Sequence, residues 1–230
     1  MIDQLDFLMT PLLLSLKLAF LSACILLMIV TPTAWWLAKT SGAFKSFVEV
    51  FLTLPMVLPP SVLGFYLLVL LGKNGFIGQL SIAFFDVPMA FSFWGLLLGS
   101  VVYSFPYVMQ PIIVGFEGVR KQAIEVALSL GSSPLQVFWS VAIPLCRHSL
   151  LMGWVMGFAH TLGEFGVVLM IGGSIPGETK VMSIAIYDYV EAFDYSKAHL
   201  LAGVLLCFSF AILGFLAWLR GRLRADGLHV

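Results

Sequence analysis

Residues Glu125 to Pro144 read EVALSLGSSPLQVFWSVAIP. The stretch lies between two very apolar segments and contains no hydrophobic span of its own. Ile124, Ala127, Leu128, Leu130 and Leu135 make short apolar stripes, and Gly131-Ser132-Ser133-Pro134 interrupts them with a stop-and-restart signal. Gly131 ends one helix, Ser133 caps the next, and Pro134 suits its first turn, where the missing N–H has no intrahelical partner to lose. The spacing predicts a short helix, a sharp turn and a second helix outside the lipid, with apolar faces that need a partner surface. The alternative is an amphipathic loop helix lying on the membrane surface.

The flanking segments set the class. Of 230 residues, 60% are hydrophobic and only 10% charged, with a mean hydropathy of +1.04. A soluble domain carries about 25% charged residues, so this is a polytopic membrane protein. Its net charge of zero argues against nucleic acid as a partner. Cys24, Cys146 and Cys207 show no CxxC or Cys/His spacing, so neither a metal site nor a disulfide is expected. A cleavable signal peptide is not expected either. Asp3 and Asp6 precede the first apolar run instead of basic residues, the run is too long, and no small-x-small site follows it.

The expected fold is all-α, one membrane domain over residues 1–230 with five transmembrane helices. Thr10-Pro11 reads as a helix start, and the spans fall at about 12–37, 48–71, 91–115, 150–172 and 199–219. Roughly 20 apolar residues suffice to cross hydrocarbon. Residues 72–90 read as a glycine-marked loop, 117–147 as the extramembrane region around the opening stretch, and 173–198 as a second polar stretch. Within the last, Met182, Ile186, Tyr189, Val190 and Phe193 are spaced as one helix face. Glu178, Asp188, Glu191 and Asp194 make its other side acidic.

Five spans place the termini on opposite sides. Lys39, Lys45, Arg120, Lys121, Arg147, Arg220, Arg222 and Arg224 fall on one side; Lys17, Lys73, Lys180 and Lys197 fall on the other. The positive-inside rule then predicts a cytoplasmic 117–147 region and C-terminus, and an N-terminus outside.

Two spans carry polar or backbone-breaking features. The second reads TLPMVLPPSVLG from Thr53 to Gly64, and Pro55, Pro59 and Pro60 remove backbone donors inside it. Freed polar groups at that depth are tolerable where they are buried in protein or line a wet cavity. Thr53 and Ser61 beside the prolines therefore suggest a pathway lining; a kinked packing helix is the alternative. Ser104-Phe105-Pro106 and Pro111 repeat the theme more weakly in the third span. The fourth contains FAHTLGEFG, Phe158 to Gly166, with Glu164 the one carboxylate in the middle of any span. On a continuous helix Glu164 lies about 22 Å from the cytoplasmic start, past the midplane, with His160 one turn earlier on the same face. An intramembrane acid is expensive and suggests a functional site; a buried pair serving packing alone is the alternative. Gly157, Gly163 and Gly166 allow close approach or a bend.

Glu125, Ala127, Gly131, Val141, Ile143 and Pro144 stand at the positions of the EAA loop of binding-protein-dependent ABC importers, E-A-A, three residues, G, nine residues, I-x-L-P. Val126, Val141 and Ile143 are conservative replacements in that pattern. The resemblance extends over nearly the whole chain: LPMVLPPSVLG with GKNGFIG, LGEFGVVLMIGG and SIPGETKVMSIAIYD look like the permease subunit of molybdate ABC importers, with sulfate, thiosulfate and tungstate permeases as the related alternatives. His160 stands where that family more often has Arg, so a titratable group replaces a fixed charge. The resemblance implies that the EAA loop is the coupling helix docking on the ATPase. It also implies a homodimeric half-pore, two cytoplasmic ATPase subunits that hold the ATP and magnesium, a periplasmic oxyanion-binding protein, and residence in the bacterial inner membrane.

No GxxxxGK[ST] occurs, so ATP binding by that route is not expected of this chain. HExxH, GxSxG and a hydrolytic carboxylate pair are absent as well, and no cofactor or metal is expected in the chain. An intramembrane enzyme would draw on Ser104, His160 and Glu164, which show no recognisable spacing. A secondary carrier would show an internal repeat, and none is found. For an anion pathway, an ionised Glu164 would repel a tetrahedral dianion, so Glu164 is expected to be protonated, paired or part of the outer gate. Hydroxyls such as Thr53 and Ser61 and freed N–H groups are the expected lining.

Overall fold

A computed structural model describes residues 3–225, and all of the regular structure within them is helical. The side chains of Asp3, Asp6, Arg220, Arg222 and Arg224, used above, lie outside the described ones.

The core is a bundle of α1 (Asp3–Lys39), α5 (Phe93–Glu117) and α9 (Arg147–Leu162). One cluster joins Leu26, Val30, Ala34 and Leu37 of α1 to Val108, Met109, Ile112 and Phe116 of α5; a second joins Leu14 and Leu18 to Leu96, Leu97 and Val168. Helix α5 opens where the Ser92 hydroxyl accepts the Gly95 N–H. Helix α1 starts earlier than Thr10-Pro11 suggested and runs through both Pro11 and Pro32. Each proline removes one backbone donor, but buried apolar residues on either side hold the helix to its neighbours, and membrane helices tolerate such losses.

The expected second span is two helices, α2 (Ala43–Val57) and α3 (Pro60–Leu71), bent by 106° at Leu58-Pro59. Pro55 stays inside α2, whereas Pro59 and Pro60 set the break, Pro60 opening α3. Residues 72–90 are not a plain loop. They contain α4 (Phe76–Phe85), ten residues closed by Asp86 in the left-handed region, because an apolar run follows the Gly72–Gly75 turn.

After α5 come α6 (Lys121–Ser129), α7 (Pro134–Val137), a π-helical turn over Phe138–Ala142, and α8 (Ile143–Leu145), ahead of α9 at an angle of 73°. The fourth span is also broken. Helix α9 ends at Leu162, Gly163–Phe165 are non-helical, and α10 (Gly166–Gly172) completes the segment. The sixteen residues of α9 reach about 24 Å, short of the ~30 Å hydrocarbon core.

Helix α11 (Met182–Glu191) forms inside the 173–198 stretch, tied to α1 by the Met182 N–H donating to Ser15 Oγ at 2.7 Å. Met182 is buried and Ile186 and Tyr189 pack beside it, but Val190 and Phe193 are exposed; the helix stops before Phe193, whose φ is +57°. Helix α12 (Tyr195–Ala225) packs along α11 and the side of α9 and leaves most of its surface uncovered.

Among the described residues, three helices, within Phe7–Lys39, Phe93–Glu117 and Tyr195–Trp218, are long and apolar enough to cross a membrane, and two bent pairs raise the number to as many as five. The chain is a multi-pass membrane protein.

Candidate functional site

The turn inside the opening stretch is built as its residues dictate. Helix α6 ends at Ser129 with Leu130 at its C-cap, and Gly131 takes φ +87°, a conformation that carries little strain only without a Cβ. The Ser133 hydroxyl accepts the Gln136 N–H at 3.3 Å, and the Gln136 side chain accepts the Ser133 N–H at 2.7 Å, closing a reciprocal capping box. Pro134 occupies the first turn.

The outer surface of this hairpin is apolar. Val126, Leu128, Leu130, Leu135 and Trp139 are exposed, and a 620 Å³ groove runs between Leu130 and Ser140. Of the six EAA positions, Glu125, Gly131 and Pro144 are exposed, whereas Ala127, Val141 and Ile143 are half-buried. The inner surface anchors the hairpin to the bundle. Phe138 packs against Trp35 of α1 and Phe116 of α5, at ring-centroid distances of 5.7 and 6.3 Å, with the Lys39 ammonium 3.7 Å over Trp35. The π turn has a local cause. Pro144 has no N–H for Ser140 and its ring would crowd the Ser140 carbonyl in an α turn, while the Ile143 N–H bonds Phe138 O instead.

The second feature is the meeting of the two helix breaks. A Cβ built on Gly166 would lie 2.8 Å from Pro60 Cβ, so α10 and α3 touch where both chains restart. Thr53 spends its hydroxyl on the Glu49 carbonyl at 2.7 Å, whereas Ser61, Pro59 and Pro60 are exposed.

Glu164 sits in the non-helical segment, 4% exposed, and its carbonyl accepts the Ser183 hydroxyl of α11 at 2.6 Å. Both carboxylate oxygens are buried without a hydrogen-bond partner, and so is the Ser100 hydroxyl beside them, which is not in bonding geometry. The same-face pairing of Glu164 with His160 does not occur. It assumed a continuous helix, and α9 ends at Leu162. His160 instead bonds Ser104 Oγ through Nδ1 at 2.9 Å and stacks on Tyr107 at 3.7 Å, with Tyr103 4.8 Å away. Ser104 also bonds Thr161 Oγ1 at 3.0 Å.

The Ser104–His160 distance would suit a nucleophile and its base. Ser104, however, is fully buried, its hydroxyl is shared with Thr161, and no carboxylate orients His160. The arrangement is a packed polar seam between α5 and α9. Sequence reasoning missed Ser100, Tyr103, Tyr107, Thr161 and Ser183. The spacing of Ser100, Ser104 and Tyr107 along one helix face was the available signal. No group of three or more His, Cys, Asp or Glu that could hold a metal occurs among the described residues.

The model of the family described as binding-protein-dependent transport system inner membrane component matches residues 30–225. The molybdenum transport system permease protein ModB of Azotobacter vinelandii is 47% identical over 200 residues, 87% of this chain and 88% of that protein. The protein of the same name from Escherichia coli K12 is 36% identical over 179 residues, 78% of each chain. The sulfate transport system permease protein CysT of Synechococcus elongatus is 36% identical over 180 residues, 78% of this chain and 64% of that protein. By that match and these relatives, the chain belongs to the family of binding-protein-dependent transport system inner membrane components, a family of transport permeases.

Proposed function

We propose that two copies of this chain form the translocation pathway of an ATP-driven importer for molybdate in the bacterial inner membrane. The observation that carries the reading is the hairpin from Glu125 to Pro144. Its exposed apolar face suits a groove on a cytoplasmic ATPase, and its Phe138 anchor joins that face to α1 and α5. ATP and magnesium belong to two such ATPase subunits, and a periplasmic binding protein delivers the anion. Five spans, with α2 and α3 counted as one and α9 and α10 as another, put the hairpin and C-terminus inside and the N-terminus outside, in line with eight cationic residues against four.

The second and fourth spans meet at their breaks. Pro55, Pro59, Pro60, Thr53 and Ser61 form one wall of the pathway, and His160 and Glu164 form its gate. Neutral Glu164 closes the outer end without repelling the anion. Molybdate is favoured because the ModB relative is 47% identical while the sulfate permease relative is 36% identical.

The test is uptake into proteoliposomes that hold the permease with its own ATPase and binding protein. ATP-dependent accumulation of labelled molybdate in preference to sulfate is expected, with tungstate run in parallel. Preferential uptake of sulfate would overturn the substrate, and uptake without the ATPase would overturn the importer.

A further inference from the structure

Helix α5 carries Ser100, Tyr103, Ser104, Tyr107 and Gln110, five polar residues within a stripe about 120° wide at 100° per residue. Their burial falls along the stripe. Ser100 and Ser104 are buried, Tyr103 and Tyr107 are half-buried, and Gln110 is exposed. The buried members are turned toward Glu164 and His160. The Tyr103 and Tyr107 hydroxyls and the Gln110 amide have no hydrogen-bond partner among the described residues. Polar groups in that position inside a span belong against a wet path or a further polar surface.

Tyr107 and Gln110 face an open cavity of 310 Å³ lined also by Met56 of α2, Pro111 of α5, and Met152 and Met156 of α9. Its polar side chains offer one phenolic O–H and the two N–H donors of an amide. Among the described residues no carboxylate and no cation lines it. The stack on His160 holds the Tyr107 ring in place while Ser104 and Thr161 hold the imidazole and the adjoining turn of α9. Gln110 lies about 15 Å along α5 from Ser100, well separated from the Glu164 carboxylate beside that serine.

We infer that this cavity is a transit site for a tetrahedral oxyanion, with Tyr107 and Gln110 donating hydrogen bonds to its oxygens and the methionines forming a yielding wall. Neutral donors hold a dianion loosely enough for it to leave, which a fixed cation would not. The inference rests on the importer reading above and adds the residues that meet the cargo on its way to the hairpin side.

The experiment uses the complete transporter in proteoliposomes and follows oxyanion uptake and ATP hydrolysis together. Tyr107→Phe keeps the stack and removes the hydroxyl; Gln110→Leu removes the amide. Each should lower molybdate uptake about tenfold, the loss expected for one hydrogen bond to a charged group, while stimulation of ATPase activity by loaded binding protein stays near wild type. More ATP is then spent per anion. Gln110→Glu keeps the size, adds a negative charge and should depress uptake further. Unchanged uptake in all three variants overturns the site, and so does a parallel fall of uptake and ATPase activity, which marks a structural role. A wild-type transporter that moves no oxyanion refutes the importer reading instead.

Discussion

Gly163 and Gly166 flank Glu164 and look equivalent in the sequence, yet alanine should act oppositely at the two positions. At Gly166 the new Cβ would lie 2.8 Å from Pro60 Cβ, about 1 Å inside the ordinary carbon–carbon separation of about 3.5–4.0 Å. Pro60 cannot turn aside, because its ring is fixed at the start of α3. Helices α3 and α10 must separate, at the ~1–3 kcal/mol typical of overpacking. Reduced entropy of the unfolded chain offsets up to about 1 kcal/mol of that, leaving a net loss of roughly 1–2 kcal/mol. At Gly163 the nearest atoms are the Ala159 and His160 carbonyl oxygens at 3.8 and 3.9 Å, and φ is −92°, which any residue adopts. Gly163→Ala should therefore be neutral or mildly stabilising. Thermal unfolding of the detergent-purified permease tests the pair. At about 2–4 °C per kcal/mol for a chain of this size, Gly166→Ala should lower the midpoint by about 2–8 °C and Gly163→Ala should not. Pro60→Gly removes the opposing Cβ, so the double variant should show a coupling energy that the two single losses do not sum to. A Gly166→Ala midpoint no lower than that of Gly163→Ala would refute the reasoning.

Three further outcomes are expected. Gly131→Trp places a bulky side chain at φ +87° in the turn between α6 and α7; it should reach the membrane at normal levels yet lose ATP-coupled uptake, and normal transport would sink the docking role. Ser133→Ala breaks the capping box, a loss of about 1 kcal/mol, so amide exchange from Leu135 to Val137 should quicken; unchanged exchange would mean the cap does not hold α7. Glu164→Gln retains a neutral hydrogen-bonding group and should keep substantial transport, whereas Glu164→Ala should leak or hydrolyse ATP without loaded binding protein. ATPase rates with and without that protein decide it, and a Gln variant as dead as Ala would show that the charge itself is needed.

The hairpin was legible because each of its signals is local. Gly131, Ser133 and Pro134 act through their own backbone or through partners three residues away. Helix α5 was readable as an apolar span, and Pro59-Pro60 marked a disruption of the second span without showing that it divides into two helices. The break at Gly163–Phe165 was not legible, since glycine within an apolar run is compatible with a continuous membrane helix. It becomes a break through contacts remote in sequence, Pro60 against Gly166 and Ser183 on the Glu164 carbonyl. The pairing expected between Glu164 and His160 failed with it, because a rule about helix faces holds only while the helix lasts. Helix α4 was hidden by the glycines of Gly72–Gly75, which introduce it rather than extend a loop through it.

The π turn at Phe138–Ala142 gives the hairpin one residue of slack. An α turn over the same path would use one residue fewer. Because Pro144 blocks that α turn, the surplus stays in place and sets whatever follows about 100° and 1.5 Å away from the phase an unbroken α-helix would give. Phe138 is clamped by Trp35 and Phe116 on one side of this reserve, and α9 with its seam to α5 begins on the other. The two therefore keep a fixed phase, one residue away from the phase of a continuous α-helix, with no flexible loop between them.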